Sequence, residues 1–209
     1  MTNSGSAQMV GIVDYQAGNI QSIENAFAHL SARTSRIRAD NDLAGCSHVV
    51  LPGVGSFGFC AQRLRASGLE GCLRRWALEQ RRPLLGICVG MQLLADGSDE
   101  SPGAQGLGWL GGAVQLIPGG AGIHVPHVGW NTVDFEFPYG EFAGGSPGDF
   151  YFDHSYAYQV PRHGMIVGHC IHGSRFSAVI RRDNITAVQF HPEKSQSAGL
   201  RFLRAFLCQ

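Results

Sequence analysis

Short apolar runs alternate with amphipathic stretches along the first half of the chain. The apolar runs predict strands at residues 9–15, 33–39, 48–51 and 83–88. Between them, apolar residues recur with helical spacing, as they do over residues 20–30. Alternating strands and helices predict a parallel sheet with helices on both of its faces.

Two further helical segments belong to this first half. One pattern covers residues 57–82 and is broken near Ser67 and Gly68. The other begins directly at the end of a strand and covers residues 89–96. Asn19 stands just before the first helical pattern, where its side chain is suited to cap the helix.

The second half of the chain is rich in glycine, aromatic and β-branched residues and has few helix signals. Residues 107–118, 124–137 and 151–180 predict several mostly antiparallel strands. A buried strand at 184–190 and an amphipathic helix at 197–207 follow. The complete pattern predicts an α/β fold with a largely parallel central sheet, helices on both faces and extra antiparallel strands.

Composition narrows the function classes. Lys plus Arg and Asp plus Glu number 16 each, so the chain lacks the positive charge that general nucleic-acid binding needs. The charged fraction of only 15% indicates that a partner covers part of the surface. No apolar run is long enough for a transmembrane helix, which argues against a membrane partner. We expect a flexible tail at residues 1–8, without signal-peptide features, and a single domain over residues 9–209.

The six cysteines show no paired spacing, which predicts reduced thiols and a cytoplasmic protein. Ordinary buried thiols are expected for five of them, and Cys88 is the exception. Their positions are Cys46, Cys60, Cys72, Cys88, Cys170 and Cys208.

The strongest local motif is the run from Gly86 to Gly90, with Cys88 at its centre, between an apolar strand and a helix. It has the pattern of a nucleophile elbow with Cys in place of Ser. Glycines permit a tight turn and close approach of neighbouring backbone, and the helix N-terminus favours the thiolate. The same run is also compatible with a buried cysteine in a glycine-rich turn.

A second motif, His191-Pro192-Glu193, follows the last predicted strand. A nucleophilic cysteine needs a base, and the base needs an acceptor that orients it. Residues two apart on an extended segment project to the same side. Alone the motif is common, but with the elbow it predicts a Cys-His-Glu site.

A third motif is the turn 52–55, which contains Gly53, Val54 and Gly55. Backbone N–H groups in such a turn can be directed at an oxyanion. An ordinary strand-to-helix turn is the alternative interpretation. A phosphate loop is disfavoured because no Gly-Lys-Ser/Thr sequence follows.

The nine histidines raise the question of a metal site. His169, Cys170 and His172 lie close together in sequence, but His169 and His172 would point to opposite faces of a strand at 164–171. We therefore expect no metal and no other cofactor.

Taken together, the motifs resemble the class I (triad) glutamine amidotransferases over about residues 9–209. Within that family they are most similar to the glutaminase subunits of imidazole glycerol-phosphate synthase. The motifs are residues 12–19 (IVDYQAGN), 51–57 (LPGVGSF), 86–92 (GICVGMQ), 125–131 (VPHVGWN), 151–156 (YFDHSY) and 189–195 (QFHPEKS).

The resemblance implies hydrolysis of glutamine to glutamate and ammonia. Cys88 would attack the side-chain amide, His191 would activate the thiol and protonate the ammonia, and Glu193 would orient His191. Gly53, Val54, Gly55 and Val89 would surround the oxyanion. The residues that match the family's glutamine pocket are Gly90, Gln92, Glu100, His154, Ser155 and Tyr156.

The resemblance also implies that ammonia passes through a tunnel to a separate (β/α)₈ cyclase subunit of imidazole glycerol-phosphate synthase, in a heterodimer. The residues that match the docking face are Tyr15, Asn19, Trp130, Asn131 and Lys194.

Two departures from the family pattern bear on the partner. Gln16 stands where the family usually has Gly, and it would be strained at positive φ. Asp153 replaces a residue that is usually apolar. The same glutaminase could therefore serve another enzyme, such as a synthetase that forms amidines on surface sugars. A γ-glutamyl peptide hydrolase and a non-catalytic binding subunit are the remaining alternatives.

Overall fold

The computed structural model describes residues 8–120, 122–161 and 166–209. The tail expected at residues 1–8 lies outside the described residues except for Gln8, whose side-chain amide donates to the carbonyl of Leu207. None of the helices in the described ranges is long and apolar enough to cross a bilayer.

The strands form one sheet of nine and a smaller sheet of three. In chain order they are β1 (Met9–Val13), β2 (Arg33–Ile37), β3 (His48–Leu51), β4 (Leu84–Ile87), β5 (Gly97–Ser98), β6 (Ala113–Leu116), β7 (His127–Phe135), β8 (Pro147–His154), β9 (Tyr156–Gln159), β10 (Ile166–His172), β11 (Ser174–Arg182) and β12 (Ile185–Val188). The large sheet has the order β2-β1-β3-β4-β12-β11-β10-β7-β8, and β5, β6 and β9 form the small one.

Five α-helices accompany the sheets in the described residues: α1 (Ile20–His29), α2 (Phe57–Ala66), α3 (Glu70–Arg74), α4 (Val89–Gln92) and α5 (Gln196–Leu207). The expected cap is present, since the Asn19 side chain accepts the N–H of Ser22. Ser56 caps α2 in the same way through the N–H of Phe59.

The first half of the large sheet is parallel, from β2 through β1, β3 and β4 to β12. The chain leaves β1 toward β2 and leaves β3 in the opposite direction toward β4. Right-handed crossovers in opposite directions place α1 and α2 on opposite faces of the sheet. Loops diverge at such a switch point and open a crevice at the carboxyl edge, where ligands bind in open α/β sheets.

The second half of the sheet is antiparallel, from β12 through β11, β10 and β7 to β8. β12 joins the two halves, because it pairs parallel with β4 and antiparallel with β11. The predicted fold class is thereby confirmed, with the antiparallel strands extending the same sheet.

Several predicted elements are shorter than the sequence pattern indicated, and two are reduced to half their length or less. The helix expected at 89–96 ends at Gln92. The carbonyls of Leu93 and Leu94 accept the N–H groups of Leu107 and Leu110, so a distant segment takes the acceptors that would continue the helix. Of the segment 107–118, only Ala113–Leu116 forms a strand.

An aromatic cluster lies beneath the end of β12. Phe190 is fully buried, stacks on Phe150 with ring centroids 4.0 Å apart, and meets Phe202 of α5 edge-on at 5.3 Å. Because Phe190 directly precedes His191, this packing anchors the backbone from which the histidine projects.

Candidate active site

Cys88 lies at the carboxyl end of β4 in a constrained turn. Its backbone has φ 55° and ψ −113°, a conformation that non-glycine residues seldom adopt and that costs about 1–3 kcal/mol. A Cβ at Gly86 would come within 2.9 Å of the carbonyl oxygen of Gly90. A Cβ at Gly90 would stand 1.9 Å from the carbonyl oxygen of Leu51. The turn therefore has the close backbone contacts expected of a nucleophile elbow.

His191 follows β12, the strand next to β4. Its N–H donates to the carbonyl of Tyr151 at 2.9 Å, and its own carbonyl accepts the hydroxyl of Ser195 at 2.6 Å. The same hydroxyl oxygen accepts the N–H of Tyr151 at 3.0 Å. Sequence reasoning gave Ser195 no role of its own, although it is the last residue of the 189–195 motif.

Glu193 orients the imidazole. The distance from His191 Nδ1 to Glu193 Oε1 is 2.8 Å, and the two side chains are 4% and 2% exposed. With Nδ1 directed at the carboxylate, Nε2 is left for Cys88. The second carboxylate oxygen, Oε2, is buried and has no hydrogen-bond partner among the described residues. The imidazole is consequently the principal partner of this carboxylate.

The charge state of His191 follows from its neighbours. Burial lowers its pKa, but the Cys88 sulfur and the Glu193 carboxylate raise the pKa more, to about 10. The imidazolium form of His191 is thus favoured at neutral pH, and it can form an ion pair with a Cys88 thiolate.

Cys88 and His191 share a cleft of about 260 Å³, which we call the Cys88 cleft. Most of the predicted oxyanion and pocket residues line it, together with Pro126, Asp153 and Lys194. The lining residues are Val54, Gly55, Cys88, Val89, Glu100, Pro126, Asp153, His154, Ser155, His191 and Lys194. Two clefts of about 360 Å³ lie elsewhere, and neither pairs a cysteine with a histidine.

Several predicted site residues lie behind the wall of the Cys88 cleft instead of along it. Gly53 and Gly90 pack backbone to backbone, since a Cβ at Gly53 would stand 2.6 Å from the nitrogen of Gly90. The Gln92 amide donates to the carbonyl of Tyr156 at 3.0 Å and to Gln189 Oε1 at 3.1 Å. Gln92 and Tyr156 are therefore structural supports in this conformation.

Gln189 is a site residue that sequence reasoning missed. Its amide nitrogen lies 3.8 Å from Cys88 Sγ, and its side chain is fully buried. The residue stands at the end of β12, two positions before His191. Its place in the 189–195 motif was the only sequence signal.

Glu100 lines the Cys88 cleft with its carboxylate already anchored. Oε2 accepts the N–H of Phe57 at 2.6 Å, at the start of α2. This bond fixes the carboxylate beside the cleft, where a cationic group of a ligand would find it.

Two buried histidines form a hydrogen-bonded series behind the cleft. The Asn131 amide donates to His127 Nε2 at 3.1 Å, His127 Nδ1 to His154 Nε2 at 3.0 Å, and His154 Nδ1 to the carbonyl of Tyr156 at 2.9 Å. Because an amide nitrogen can only donate and a carbonyl can only accept, the series fixes the neutral tautomer of both rings.

Both rings are also held neutral by their surroundings. Burial, with a smaller contribution from His172, lowers the pKa of His127 to about 4. Burial lowers the pKa of His154 to about 3, against the opposing effect of the Tyr156 carbonyl. His172 stacks on His127 with ring centroids 4.1 Å apart, so it packs against the hydrogen-bonded series.

The histidines considered for a metal site are used otherwise. His169 lies 3.1 Å from Glu136, and His172 bonds to the carbonyl of His124 at 2.7 Å. Within the described ranges, no group of three or more His, Cys, Asp or Glu residues is arranged to hold a metal ion.

The predicted docking residues divide into exposed and buried ones. Trp130 is half exposed and meets Tyr151 edge-on, and the Lys194 ammonium lies 5.5 Å from the same ring. Asn19 is exposed, while Asn131 takes part in the histidine series. The docking role expected for Tyr15 is wrong, because its side chain is buried and its hydroxyl donates to the carbonyl of Pro52 at 2.6 Å.

Both departures from the family pattern are visible in the structure. The backbone of Gln16 has φ 64°, a conformation that is strained for a residue with a side chain and that glycine adopts without strain. Asp153 is exposed, and its carbonyl oxygen lies 4.0 Å from Cys88 Sγ.

Comparison with known proteins gives the same family that the motifs resemble. The chain matches the family described as Glutamine amidotransferase class-I over residues 11–209. Subunit HisH of imidazole glycerol phosphate synthase from Zymomonas mobilis subsp. mobilis is 43% identical over 212 residues, which cover 99% of this chain and 98% of that protein. The chloroplastic imidazole glycerol phosphate synthase hisHF of Arabidopsis thaliana is 38% identical over 208 residues, covering 98% of this chain and 35% of that protein.

A solved structure has the same fold at low sequence identity. A chain of PurLQS from Thermotoga maritima superposes with a TM-score of 0.75 at 19% identity, covering 97% of this chain and 99% of the matched chain. At that identity the likeness concerns the fold alone.

Proposed function

We propose that this chain, a member of the glutamine amidotransferase class-I family, is the glutaminase subunit of an imidazole glycerol-phosphate synthase. It hydrolyses L-glutamine to glutamate and ammonia and passes the ammonia to a cyclase subunit in histidine biosynthesis. The observation that carries the chemistry is the buried contact of 2.8 Å between His191 and Glu193, beside Cys88 in one cleft.

In the first step, the Cys88 thiolate attacks the carbonyl carbon of the glutamine side-chain amide. The negative charge moves to the amide oxygen. Val89 occupies the first position of α4, whose N–H has no partner within the helix, and it can donate to that oxygen. This attack needs the thiolate, which the His191 imidazolium supports.

In the second step, His191 gives its proton to the departing nitrogen, and ammonia leaves. A thioester between Cys88 and the glutamyl group remains. The neutral imidazole then takes a proton from water, which attacks the thioester and releases glutamate. Glu193 keeps the ring oriented through both proton transfers.

Glutamine recognition is assigned to the walls of the Cys88 cleft. The anchored carboxylate of Glu100 suits the α-ammonium of the substrate. Backbone groups near Ser155 suit the α-carboxylate, and the series through His154 keeps that segment in place. The polar groups at the two ends of the substrate hold its amide toward Cys88.

The turn 52–55 has a resting arrangement that bears on activation. The N–H of Val54 donates to the carbonyl of Ala17 at 3.3 Å, so it is directed away from the Cys88 cleft. A loaded synthase would favour the arrangement in which this N–H faces the oxyanion. Release of ammonia inside a closed complex also keeps it unprotonated and able to act as a nucleophile.

The partner is assigned from the names of the relatives and from an exposed apolar face. Val128 and Trp130 lie on one face of β7 and are 54% and 50% exposed, and Ile171 of β10 is 62% exposed. The plant relative is named as the synthase itself, and this chain matches only 35% of that protein's length. We infer a heterodimer in which this face contacts the cyclase subunit.

The thiols bear on the cellular compartment, and the sheet bears on the domain organisation. All six cysteines are unpaired, which supports a reducing compartment such as the cytoplasm. The nine-stranded sheet includes strands from both halves of the chain, which supports one domain over residues 9–209.

The test is glutamate release from glutamine by the purified protein, alone and with a cognate cyclase subunit carrying its ribonucleotide substrate. We expect strong stimulation in the complex and its loss, by roughly 1,000-fold or more, in Cys88→Ala. Thiol-dependent hydrolysis without stimulation would assign a different synthetase as partner. Glutamate release that Cys88→Ala leaves unchanged would contradict the proposed chemistry.

A further inference from the structure

Gln189 contacts the nucleophile from inside the protein. Its side chain is fully buried, and its amide nitrogen lies 3.8 Å from Cys88 Sγ. Gln189 is not among the residues that line the Cys88 cleft, so a substrate in the cleft reaches the sulfur from a different side. Glutamine can therefore bind without displacing this amide.

Hydrogen bonds determine which end of the Gln189 amide faces the sulfur. The carbonyl of Tyr156 can only accept, so the group of Gln92 that lies 3.0 Å from it is the amide nitrogen. The same nitrogen donates to Gln189 Oε1 at 3.1 Å. If the Gln189 amide were flipped, its N–H groups would face those of Gln92. The oxygen of Gln189 is thus held toward Gln92, and its nitrogen is held toward Cys88.

The backbone that carries Gln189 is bonded to the same elbow. The N–H of Cys88 donates to the carbonyl of Val188 at 2.8 Å, directly before Gln189 in the chain. On the other side of the strand, the N–H of Gln189 donates to the carbonyl of Ala178 in β11 at 3.0 Å. Main-chain hydrogen bonds therefore hold the residue that supplies the amide beside the residue that supplies the sulfur.

An amide N–H stabilises a charged sulfur more than a neutral one, because hydrogen bonds to ionised acceptors are roughly twice as strong. We propose that Gln189 is a catalytic residue that donates a hydrogen bond to the Cys88 thiolate, both before the attack on glutamine and when the sulfur leaves the thioester. In that second event the C–S bond breaks, its electron pair returns to the sulfur, and the oxygen of the attacking water stays in the glutamate carboxylate. The inference rests on the proposed glutaminase function.

Other titratable groups also face the sulfur, and they stay in place when Gln189 is replaced. The imidazolium of His191 is the partner of the thiolate. Tyr15 and Cys60 keep their protons at neutral pH, because burial raises the pKa of Tyr15 well above its ordinary value and that of Cys60 to about 11. The titratable groups along the Cys88 cleft are Glu100, Asp153, His154 and Lys194. A comparison of variants at this one position therefore isolates the contribution of the amide.

The experiment measures the rate at which iodoacetamide alkylates Cys88 as a function of pH. It compares the wild type with Gln189→Met, which keeps the length of the side chain but cannot donate. Only the thiolate reacts, so without the donor we expect the pH of half-maximal alkylation to rise by about one unit. A more basic thiolate is the better nucleophile, so the plateau rate at high pH should rise about threefold. The two profiles therefore cross, whereas general loosening of the site would change the rate in one direction at every pH.

Matched controls come from the same chain. Cys208 is exposed, and mass spectrometry of separate peptides follows its alkylation in the same sample. Its profile should be identical in the two proteins. Thr186 of β12 is fully buried, and its hydroxyl donates to Gln209 Oε1 at 3.4 Å. Thr186→Val removes a buried hydrogen bond from the same strand, and it should leave the profile of Cys88 unchanged.

NMR of the wild-type chain gives a second readout that needs no variant of Gln189. One of its side-chain amide protons should move downfield with the same pH midpoint as the alkylation of Cys88. That movement should be absent in Cys88→Ala. In the glutaminase assay, kcat/KM of Gln189→Met should fall about three- to fourfold on the acid side of the pH profile and recover toward high pH.

The outcomes separate the role of Gln189 from the activity itself. An alkylation midpoint that is unchanged in Gln189→Met overturns the proposal, and so does an amide resonance of Gln189 that does not follow the ionisation of Cys88. A wild-type chain that hydrolyses no glutamine under any condition but shows the expected alkylation shift would refute the glutaminase function alone, and the hydrogen bond to the thiolate would stand.

Discussion

The two halves of the large sheet contribute to the site in different ways. In the parallel half, Cys88 and His191 follow the neighbouring strands β4 and β12, so strand pairing brings the backbones of nucleophile and base together. In the antiparallel half, His154 at the end of β8 depends on hydrogen bonds through His127 to Asn131. Backbone geometry positions the reacting groups, whereas side-chain hydrogen bonds position the cleft wall.

This difference determines how each half should respond to change. Groups positioned by backbone contacts tolerate no added atoms, but they are insensitive to the protonation of distant side chains. Groups positioned by neutral histidines tolerate small changes in volume, but acid disrupts them. The predictions below test that contrast.

The largest effect is expected at the backbone contact between β3 and the elbow. Gly90→Ala would place a Cβ 1.9 Å from the carbonyl oxygen of Leu51, so the elbow must move or the protein unfolds. We expect a loss of more than about 4 kcal/mol in the free energy of unfolding. Urea denaturation measures it. Gly71→Ala in α3, where the nearest atom would be 3.9 Å away, should be neutral or stabilising.

The next largest effect is expected on the pH at which His191 titrates. Its folded-state pKa of about 10 lies above the ordinary 6.5, so the stabilisation by its charge is complete below about pH 6.5 and is lost as pH rises through about 10. In Cys88→Ala the largest raising influence is gone, and the pKa should fall. NMR titration of the imidazole measures both values, and equal values in the two proteins would contradict the ion pair.

A smaller effect is expected from the buried histidines of the antiparallel half. The pKa of His127 is lowered from 6.5 to about 4, so the folded protein should lose stability as pH falls from about 6.5 toward 4. His127→Gln should cost about 1–3 kcal/mol at neutral pH and flatten this acid slope. Unfolding measured at several pH values tests it, with exposed His29→Gln as the matched control. A slope unchanged in His127→Gln would count against the assignment.

The smallest effect on the isolated chain is expected at the exposed apolar face. Trp130→Ala should change the free energy of unfolding by no more than about 0.5 kcal/mol. It should nevertheless weaken binding to the cyclase subunit by about tenfold or more, because large aromatic residues dominate such contacts. Phe137, which is 52% exposed beyond the end of β7, gives the control Phe137→Ala. Equal affinities for the two variants would argue against this docking face.

The parallel half could be predicted almost completely from the sequence. Its strands are short apolar runs that end directly at motif residues, as at Cys88 and His191. The carboxyl ends of parallel strands meet at one edge of a sheet, so the motifs could be placed together before any geometry was known.

Features that depend on distant partners could not be predicted. The end of α4 at Gln92 depends on the N–H groups of Leu107 and Leu110, which donate to the carbonyls of the two residues that follow the helix. The burial of Tyr15 depends on the carbonyl of Pro52, and the amide of Gln92 turns toward the carbonyl of Tyr156. A local pattern carries no information about such acceptors, since they arrive from segments far away in the chain.

The central place of β12 has a consequence for biosynthesis. It is the last strand in chain order within the described ranges, yet it lies between β4 and β11. Until the ribosome has delivered it, the two partly formed sheets expose open edges that can pair wrongly with other chains. A nascent chain also carries the thiol of Cys88 without the imidazole of His191. Hydrolysis of glutamine can therefore begin only after translation has passed His191 and Glu193.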